Sequence, residues 1–402
     1  MAKPFHLMAK PTSFSCNIDC DYCFYLEKER QLPRAKNAKP SDAMSDEVLR
    51  AYIKNYINSQ PTSQVEFAWQ GGEPTLAGLG FFRKAVALQQ RFANGKTIRN
   101  NLQTNGIVLN EEWCQFLKEH NFLVGLSVDG PEELHNAYRL TATGKPTFKK
   151  VMRAVELLKQ YDVPFNTLTV INNINVKHPK AVYRFLKEIG SHYQQYIPVV
   201  ESRALQGAES LNDLIASTHS AECLPFSVDA NEFGDFMNSI FDEWVRNDVS
   251  EVFIQLFEST LAAWSGRQSS QCIFQKTCGD AMVIEQNGDI YSCDHYVYRD
   301  HKIGNILQGK LNKTHGSKQQ NKFGNDKANI SRTCQECSYL FACYGDCPKH
   351  RFLTDEKGVP HSILCAGYKK IFSHIDNHMK FMANELAQGR PASNVMSVAN
   401  MV

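Results

Sequence analysis

No stretch of the 402-residue chain strings together about 18 apolar residues, so a membrane-spanning helix is not expected. An excess of either charge is also missing: 44 Lys and Arg face 42 Asp and Glu, for a formal net charge of +2. Such a balance builds no broad positive field for nucleic-acid phosphates, and no nucleic-acid partner is expected. Residues Met1–Ser13 carry two lysines and a short apolar stretch. They lack the apolar core of about 7–15 residues and the small-residue cleavage site of an export signal, so a cytoplasmic location is expected. Compositional bias is absent: 43% hydrophobic, 21% charged and 11% aromatic residues describe neither a disordered nor a collagen-like chain. The length suits one large enzyme domain and one smaller domain, each able to bury a core.

Cysteine is the residue present in quantity, at thirteen positions. Thiols in a reducing cytosol are not expected to pair as disulfides, which leaves metal ligation as the default reading.

Short β-like runs alternate with helical periodicity through the first two hundred residues. Strands are predicted at His6–Lys10, Val65–Trp69, Ile98–Gln103, Leu123–Val128, Phe165–Ile171 and Gln195–Val200. Between them, helices are predicted at Asp46–Asn58, Phe81–Phe92, Glu111–Glu119, Phe148–Gln160 and Pro179–Ile189. Repeated βα units build a parallel sheet with helices outside, and six of them predict an α/β fold with a partial (β/α)6 barrel. Ligands of parallel barrels sit beyond the strand C-termini, where Cys16–Cys23, Gly71–Pro74, Thr104–Gly106 and Asp129–Pro131 all fall. The expected division is 1–230 for the barrel, 231–388 for a C-terminal cysteine-rich iron-sulfur domain, and 389–402 for a disordered tail. Lys313–Lys327, rich in Gly, Asn, Gln and Lys, reads as a flexible surface loop.

Cys16-x₃-Cys20-x₂-Cys23 places three thiolates on one loop. A four-iron cluster on three cysteines keeps one iron open to an exogenous ligand, much as catalytic zinc keeps an open position. A zinc knuckle or unrelated buried cysteines are the alternatives. The spacing, with an aromatic before the last cysteine, resembles the radical S-adenosylmethionine superfamily. Gly71-Gly72-Glu73-Pro74 after the second strand is similar to that superfamily's glycine-rich contact to the cofactor, and glycine permits close backbone approach. The resemblance implies that Cys16, Cys20 and Cys23 hold a [4Fe-4S] cluster. It also implies that Tyr22, Gly72, Ser127, Arg139 and Val200 line the S-adenosylmethionine site. Without it, Ser127 reads as a strand-end hydroxyl and Arg139 as a solvated surface charge.

Further along come Cys272-x₅-Cys278-x₁₄-Cys293, Cys334-x₂-Cys337-x₅-Cys343-x₃-Cys347 and Cys365, eight thiols sufficient for two fully coordinated four-iron clusters. Spacing alone does not choose how they divide, and a zinc ribbon stays open. The pattern, with Gly288 five residues before Cys293, resembles the SPASM extension of peptide-modifying radical enzymes. That resemblance implies one auxiliary cluster on Cys272, Cys278, Cys293 and Cys347 and another on Cys334, Cys337, Cys343 and Cys365. Cys114 and Cys223, in apolar surroundings, read as core residues.

Across roughly residues 5–385 the chain is similar to the anaerobic sulfatase-maturating enzymes. Phe67-Ala-Trp-Gln-Gly-Gly-Glu-Pro-Thr-Leu76, Leu102-Gln-Thr-Asn-Gly106 and Phe122-Leu-Val-Gly-Leu-Ser-Val-Asp-Gly130 carry that likeness. It implies oxidation of a Cys or Ser in an unfolded or nascent sulfatase polypeptide to Cα-formylglycine, with electrons from a donor such as flavodoxin or ferredoxin. The family's catalytic base falls on Asp294, directly after Cys293, where a residue that only orients a cluster is the bland alternative. His295 is the other proton acceptor within reach of that position. Formation of a crosslink or thioether on a precursor peptide is the nearest rival activity. A non-catalytic iron-sulfur or zinc protein is the rival from another class.

Overall fold

The computed structural model describes residues 3–26, 28, 32, 43–202 and 223–400. All six expected strands form: β1 (His6–Lys10), β2 (Gln64–Trp69), β3 (Thr97–Thr104), β4 (Phe122–Ser127), β5 (Phe165–Ile171) and β6 (Tyr193–Pro198). They pair in parallel and in chain order. Alternation sets which face is covered. In β2, Val65, Phe67 and Trp69 are buried while Gln64 and Glu66 are exposed.

Helices α1 (Asp46–Ser59), α2 (Leu79–Phe92), α3 (Glu111–Glu119), α4 (Phe148–Gln160) and α5 (Pro179–Glu188) cover that face. In α1, the side chain of Ser45 accepts from the backbone N–H of Val48, and Asp46 and Glu47 occupy the first turn. Both features favour starting a helix there. Its buried residues Val48, Leu49, Tyr52, Ile53, Tyr56 and Ile57 recur every three or four positions, the signature of one apolar face.

The sheet continues beyond the barrel at both edges. β7 (Phe253–Ile254) adds to β6, and β8 (Ala281–Glu285) runs parallel to β1 in a register that pairs His6 with Ala281 and Lys10 with Glu285. Antiparallel β9 (Asp289–Tyr291) and β10 (Lys302–Asn305) complete the ten strands. The cysteine-rich half is thus seated on the barrel's first strand.

Two helices pack together behind this region, α6 (Ala230–Asn247) and α9 (Cys365–Ala387). They approach so closely that a Cβ on Gly367 would stand 2.2 Å from the carbonyl oxygen of Ala230. Between them in sequence lies α7 (Gln255–Trp264), separated from α6 by β7.

Two expectations are corrected. Lys313–Lys327 is not a flexible loop: Leu311–His315 is helical, and α8 (Lys318–Asp326) follows with the side chain of Ser317 as its N-cap. Hydrophobic periodicity missed it because its buried residues, Gln320 and Gly324 with Lys327 just beyond, are not apolar. The segment after Gln388 is likewise ordered as far as the structure describes it. Ala392–Ser397 forms a 3-10 helix against α6 and α9, with Val395 fully buried and the Asn394 amide donating to Glu385.

Candidate active site and cysteine clusters

The loops at the C-terminal ends of β2 and β3 are tied together by one carboxylate. Glu73 is buried, and its Oε1 accepts from Thr75 N (2.9 Å), Thr75 Oγ1 (2.5 Å) and Thr104 Oγ1 (2.8 Å) while Oε2 accepts from Asn105 N (2.7 Å). Burial raises its pKa, opposed by these hydrogen bonds. The glycine before it meets the cysteine loop directly. Gly72 N donates to Ser13 O at 2.6 Å, and a Cβ on Gly72 would lie 2.2 Å from Ser15 O.

On that loop Cys16 is exposed, Cys20 buried and Cys23 half-buried. Asp19–Cys20 pairs with Arg139–Leu140, which sets Cys20 opposite Arg139. Burial pushes the Cys16 thiol up to about 12, and it raises Cys20 and Cys23 too. Cys16 and Cys20 also feel the charge of Cys23, while Arg139 acts in the opposite direction on Cys20 and both Lys10 and Arg139 do so on Cys23. Among the described residues, no three Cys, His or carboxylate groups close on a single point to hold one ion. Three soft thiolates beside a glycine cradle and buried cations suit an anionic iron-sulfur cluster larger than one ion.

Arg139 is buried and makes a bidentate pair with Asp129, Nε to Oδ2 at 2.9 Å and Nη2 to Oδ1 at 3.0 Å. The Tyr22 hydroxyl donates to the same carboxylate, and the guanidinium lies 5.6 Å from the Tyr22 ring centroid. The solvated-charge reading of Arg139 therefore fails, and its partner Asp129 is the first of the residues expected beyond the fourth strand. Ser127, at the end of β4, accepts from Gln103 Nε2 at 3.1 Å. Val200 belongs to the main hydrophobic core, whereas its neighbour Val199 packs with Ile18, Cys20 and Tyr22.

The downstream cysteines fall into two neighbourhoods. Cys293 is affected by Cys347 and Cys272, Cys278 by Cys272, and Cys347 by both Cys272 and Cys278. Cys343 is affected by Cys365 and Cys334, and Cys365 by Cys334 and Cys337. Spacing left the division open, whereas the folded chain brings together the sets 272, 278, 293, 347 and 334, 337, 343, 365. Cys114 is buried and Cys223 half-buried, both in or against the main core.

Asp294 joins the first of these sets to the barrel. Its Oδ1 lies 2.5 Å from the ammonium of Lys10, the last residue of β1, which is 1% exposed. Burial, the largest influence, would raise the Asp294 pKa, but the charge and hydrogen bond of Lys10 together with His295 and Lys349 outweigh it and hold the group below the usual carboxylate value. The Lys10 ammonium also lies 4.1 Å from the Tyr25 ring centroid and 3.4 Å from Gln70 Oε1. His295 is packed between the two cysteine regions, its ring edge-on to Phe24 at 5.4 Å and its Nδ1 3.7 Å from Cys347 Sγ. Burial, aided by Lys349, lowers its pKa to about 3. A second buried pair, Lys349 Nζ to Glu201 Oε1 at 2.7 Å, spans the same junction. Neither Lys10 nor this pair was foreseen, since a lysine closing a strand carries no periodic signal.

Comparison with known proteins agrees with this geometry. The radical SAM superfamily model matches residues 11–186, and the SPASM iron-sulfur cluster-binding domain model matches 272–338. A serine-type anaerobic sulfatase-maturating enzyme of Bacteroides thetaiotaomicron is 44% identical over 398 residues, covering 98% of this chain and 95% of its own. A cysteine-type enzyme of Clostridium perfringens is 33% identical over 391 residues, covering 95% and 99% respectively. The solved structure of native anSMEcpe with bound AdoMet and Cp18Cys peptide superposes with a TM-score of 0.84 at 32% identity, over 96% of this chain and all of that one. The chain belongs to the anaerobic sulfatase-maturating enzymes, radical S-adenosylmethionine enzymes with [4Fe-4S] clusters and a SPASM extension.

Proposed function

We propose that this protein oxidises a residue of a sulfatase polypeptide to Cα-formylglycine, with serine as the preferred target and Asp294 as the proton acceptor. The observation that carries the role of Asp294 is its place: a half-buried carboxylate on the buried Lys10, adjacent to Cys293 and at the strand C-termini that surround Cys16–Cys23. Serine is preferred because the serine-type relative is 44% identical and the cysteine-type one 33%.

Turning a –CH₂OH side chain into an aldehyde removes one hydrogen atom, one proton and one electron. S-adenosylmethionine and the clusters, when bound, supply a deoxyadenosyl radical for the hydrogen atom and an acceptor for the electron. The chain's own residues hold and orient. Cys16, Cys20 and Cys23 would ligate the cluster that binds S-adenosylmethionine, with Tyr22, Gly72, Ser127, Arg139 and Val200 around the cofactor. Cys272, Cys278, Cys293 and Cys347 would hold one auxiliary cluster, and Cys334, Cys337, Cys343 and Cys365 the other. Asp294 stands as a carboxylate, so it can take the hydroxyl or thiol proton at its oxygen.

Residues 1–230 would form the radical-generating unit and 231–388 the auxiliary-cluster unit, an assignment supported by the family matches inside each. A small flavin or iron-sulfur protein, such as flavodoxin or ferredoxin, fits the need for single electrons. Thirteen free cysteines favour a reducing cytoplasm, and no helix among the described residues is long and apolar enough to cross a membrane.

The test is anaerobic incubation of the reduced, iron-loaded protein with S-adenosylmethionine and paired Ser and Cys sulfatase-motif peptides. The expected result is 5′-deoxyadenosine with a two-hydrogen mass loss from Ser to give an aldehyde-reactive product, and a smaller yield from Cys, whose two-hydrogen loss gives a thioaldehyde that water converts to the aldehyde with release of hydrogen sulfide. Deoxyadenosine with both peptides unchanged would move the substrate elsewhere.

A further inference from the structure

Helix α8 touches the first downstream cysteine set at three points, none of them apolar. The Gln320 side chain, 2% exposed, donates from Nε2 to Gly279 O (2.7 Å) and Ser292 O (3.1 Å), the neighbours of Cys278 and Cys293. Gly324 O accepts from Cys278 N at 3.1 Å, and a Cβ on Gly324 would lie 2.2 Å from Cys278 O. Just past the helix, the Lys327 ammonium, 1% exposed, donates to Ile273 O at 2.9 Å and to Gln275 O, both inside the Cys272–Cys278 loop.

The charges around the two sets differ. Lys327 acts on Cys272 and Cys278, and the buried Arg351 also acts on Cys278. Arg351 is itself consumed by carbonyls, donating to Gly345, Asn329, Tyr344 and Asp346 oxygens. Beside the second set, Cys365 has only the exposed Lys369 as its cation, and Cys343 faces the buried Asp346; Asp346 acts on Cys272 and Cys347 of the first set too, where Asp280 acts on Cys278 and Asp294 on Cys293. A buried cation is little screened, whereas an exposed one is weakened by water and salt. Positive charge beside a cluster favours its more negative, reduced form.

We propose that Lys327, presented by α8, is a positioning residue that raises the reduction potential of the cluster on Cys272, Cys278, Cys293 and Cys347. The inference rests on the ligand assignment proposed above. It places a buried cation beside the set that contains Cys293, offsetting the carboxylates of Asp346, Asp280 and Asp294 there.

The experiment is a potentiometric titration of the three-cluster protein followed by electron paramagnetic resonance, without peptide. In Lys327→Gln, which can still donate to the Ile273 and Gln275 carbonyls, one midpoint is expected to become more negative while the other two stay; Lys327→Arg is expected to restore it. A full iron complement with no midpoint moved in Lys327→Gln would overturn the proposal. So would an equal shift of all three midpoints. Loss of the cluster in Lys327→Gln would also overturn it, because the charge would then serve assembly and not potential. Cys272→Ala checks the ligand assignment separately, since it should remove one auxiliary signal whatever Lys327 does.

Discussion

Lys10 and Asp294 are 284 positions apart in sequence, yet their charged groups meet at 2.5 Å, joining the end of β1 to the residue after Cys293. Neither group could be left alone cheaply. Removing one partner of a buried pair costs about 3–5 kcal/mol, and the partial exposure of Asp294 puts this pair at the low end. Lys10→Met should therefore lower the unfolding midpoint measured anaerobically by circular dichroism. The double variant with Asp294→Asn should lose less than the sum of the single losses, because each change alone strands the other charge. Additive losses would mean that the pair is not coupled.

Asp294→Asn keeps the shape and removes the proton acceptor. We expect iron content and S-adenosylmethionine binding to be retained while peptide oxidation falls by about 100-fold or more, the usual scale of general base catalysis. Mass spectrometry of the peptide alongside 5′-deoxyadenosine reads both halves. An unchanged yield of aldehyde would remove Asp294 from the mechanism.

Gly72→Ala tests the cradle. The added methyl carbon would stand 2.2 Å from Ser15 O, a backbone atom that cannot swing aside. The loop carrying Cys16, Cys20 and Cys23 must shift, and the variant should lose one cluster's worth of iron and its S-adenosylmethionine cleavage. The signals of the two auxiliary clusters should persist. Full iron with normal cleavage would show that the loop has slack absent from the structure.

Arg139→Met should be among the most damaging single changes outside the cysteines. It strands Asp129, which is fully buried, at a cost of about 3–5 kcal/mol. Asp129→Asn is the milder test, because the amide still accepts from Tyr22. Calorimetry with S-adenosylmethionine should give weaker binding for both variants, and unaltered binding in Arg139→Met would take Arg139 out of the cofactor site.

The barrel was legible because its strands alternate with period two and its helices with a period near four, so Val65, Phe67 and Trp69 announce their face before any coordinates exist. The cysteines were legible through spacing. What escaped was polar and buried. Asp129 lay in view beyond the fourth strand but its pairing with Arg139 did not, and nothing local marks Lys10 as buried at the end of β1. Gln320, Gly324 and Lys327 form a buried face without an apolar atom pattern to reveal it. Their roles exist only against partners far along the chain, and local periodicity holds no record of such partners. The ordered tail escaped for a related reason, as its core anchors Val395 and Ala399, with Met396 packed beside them, are too few to set up a periodic signal.

The pairing of His6 with Ala281 has a consequence for how the protein is made. On its other side β1 shares register with β2 only where Ala9 meets Trp69, so most of its hydrogen bonding awaits β8. A ribosome that has just released residues 3–200 has exposed nearly every helix of the barrel, yet the first strand still has an open edge. Contacts of such sequence separation form late and leave edges prone to wrong association meanwhile. The loop from Cys16 to Cys23 hangs from that strand, so the chain's C-terminal half, through residues 281–285, completes the sheet edge that carries it.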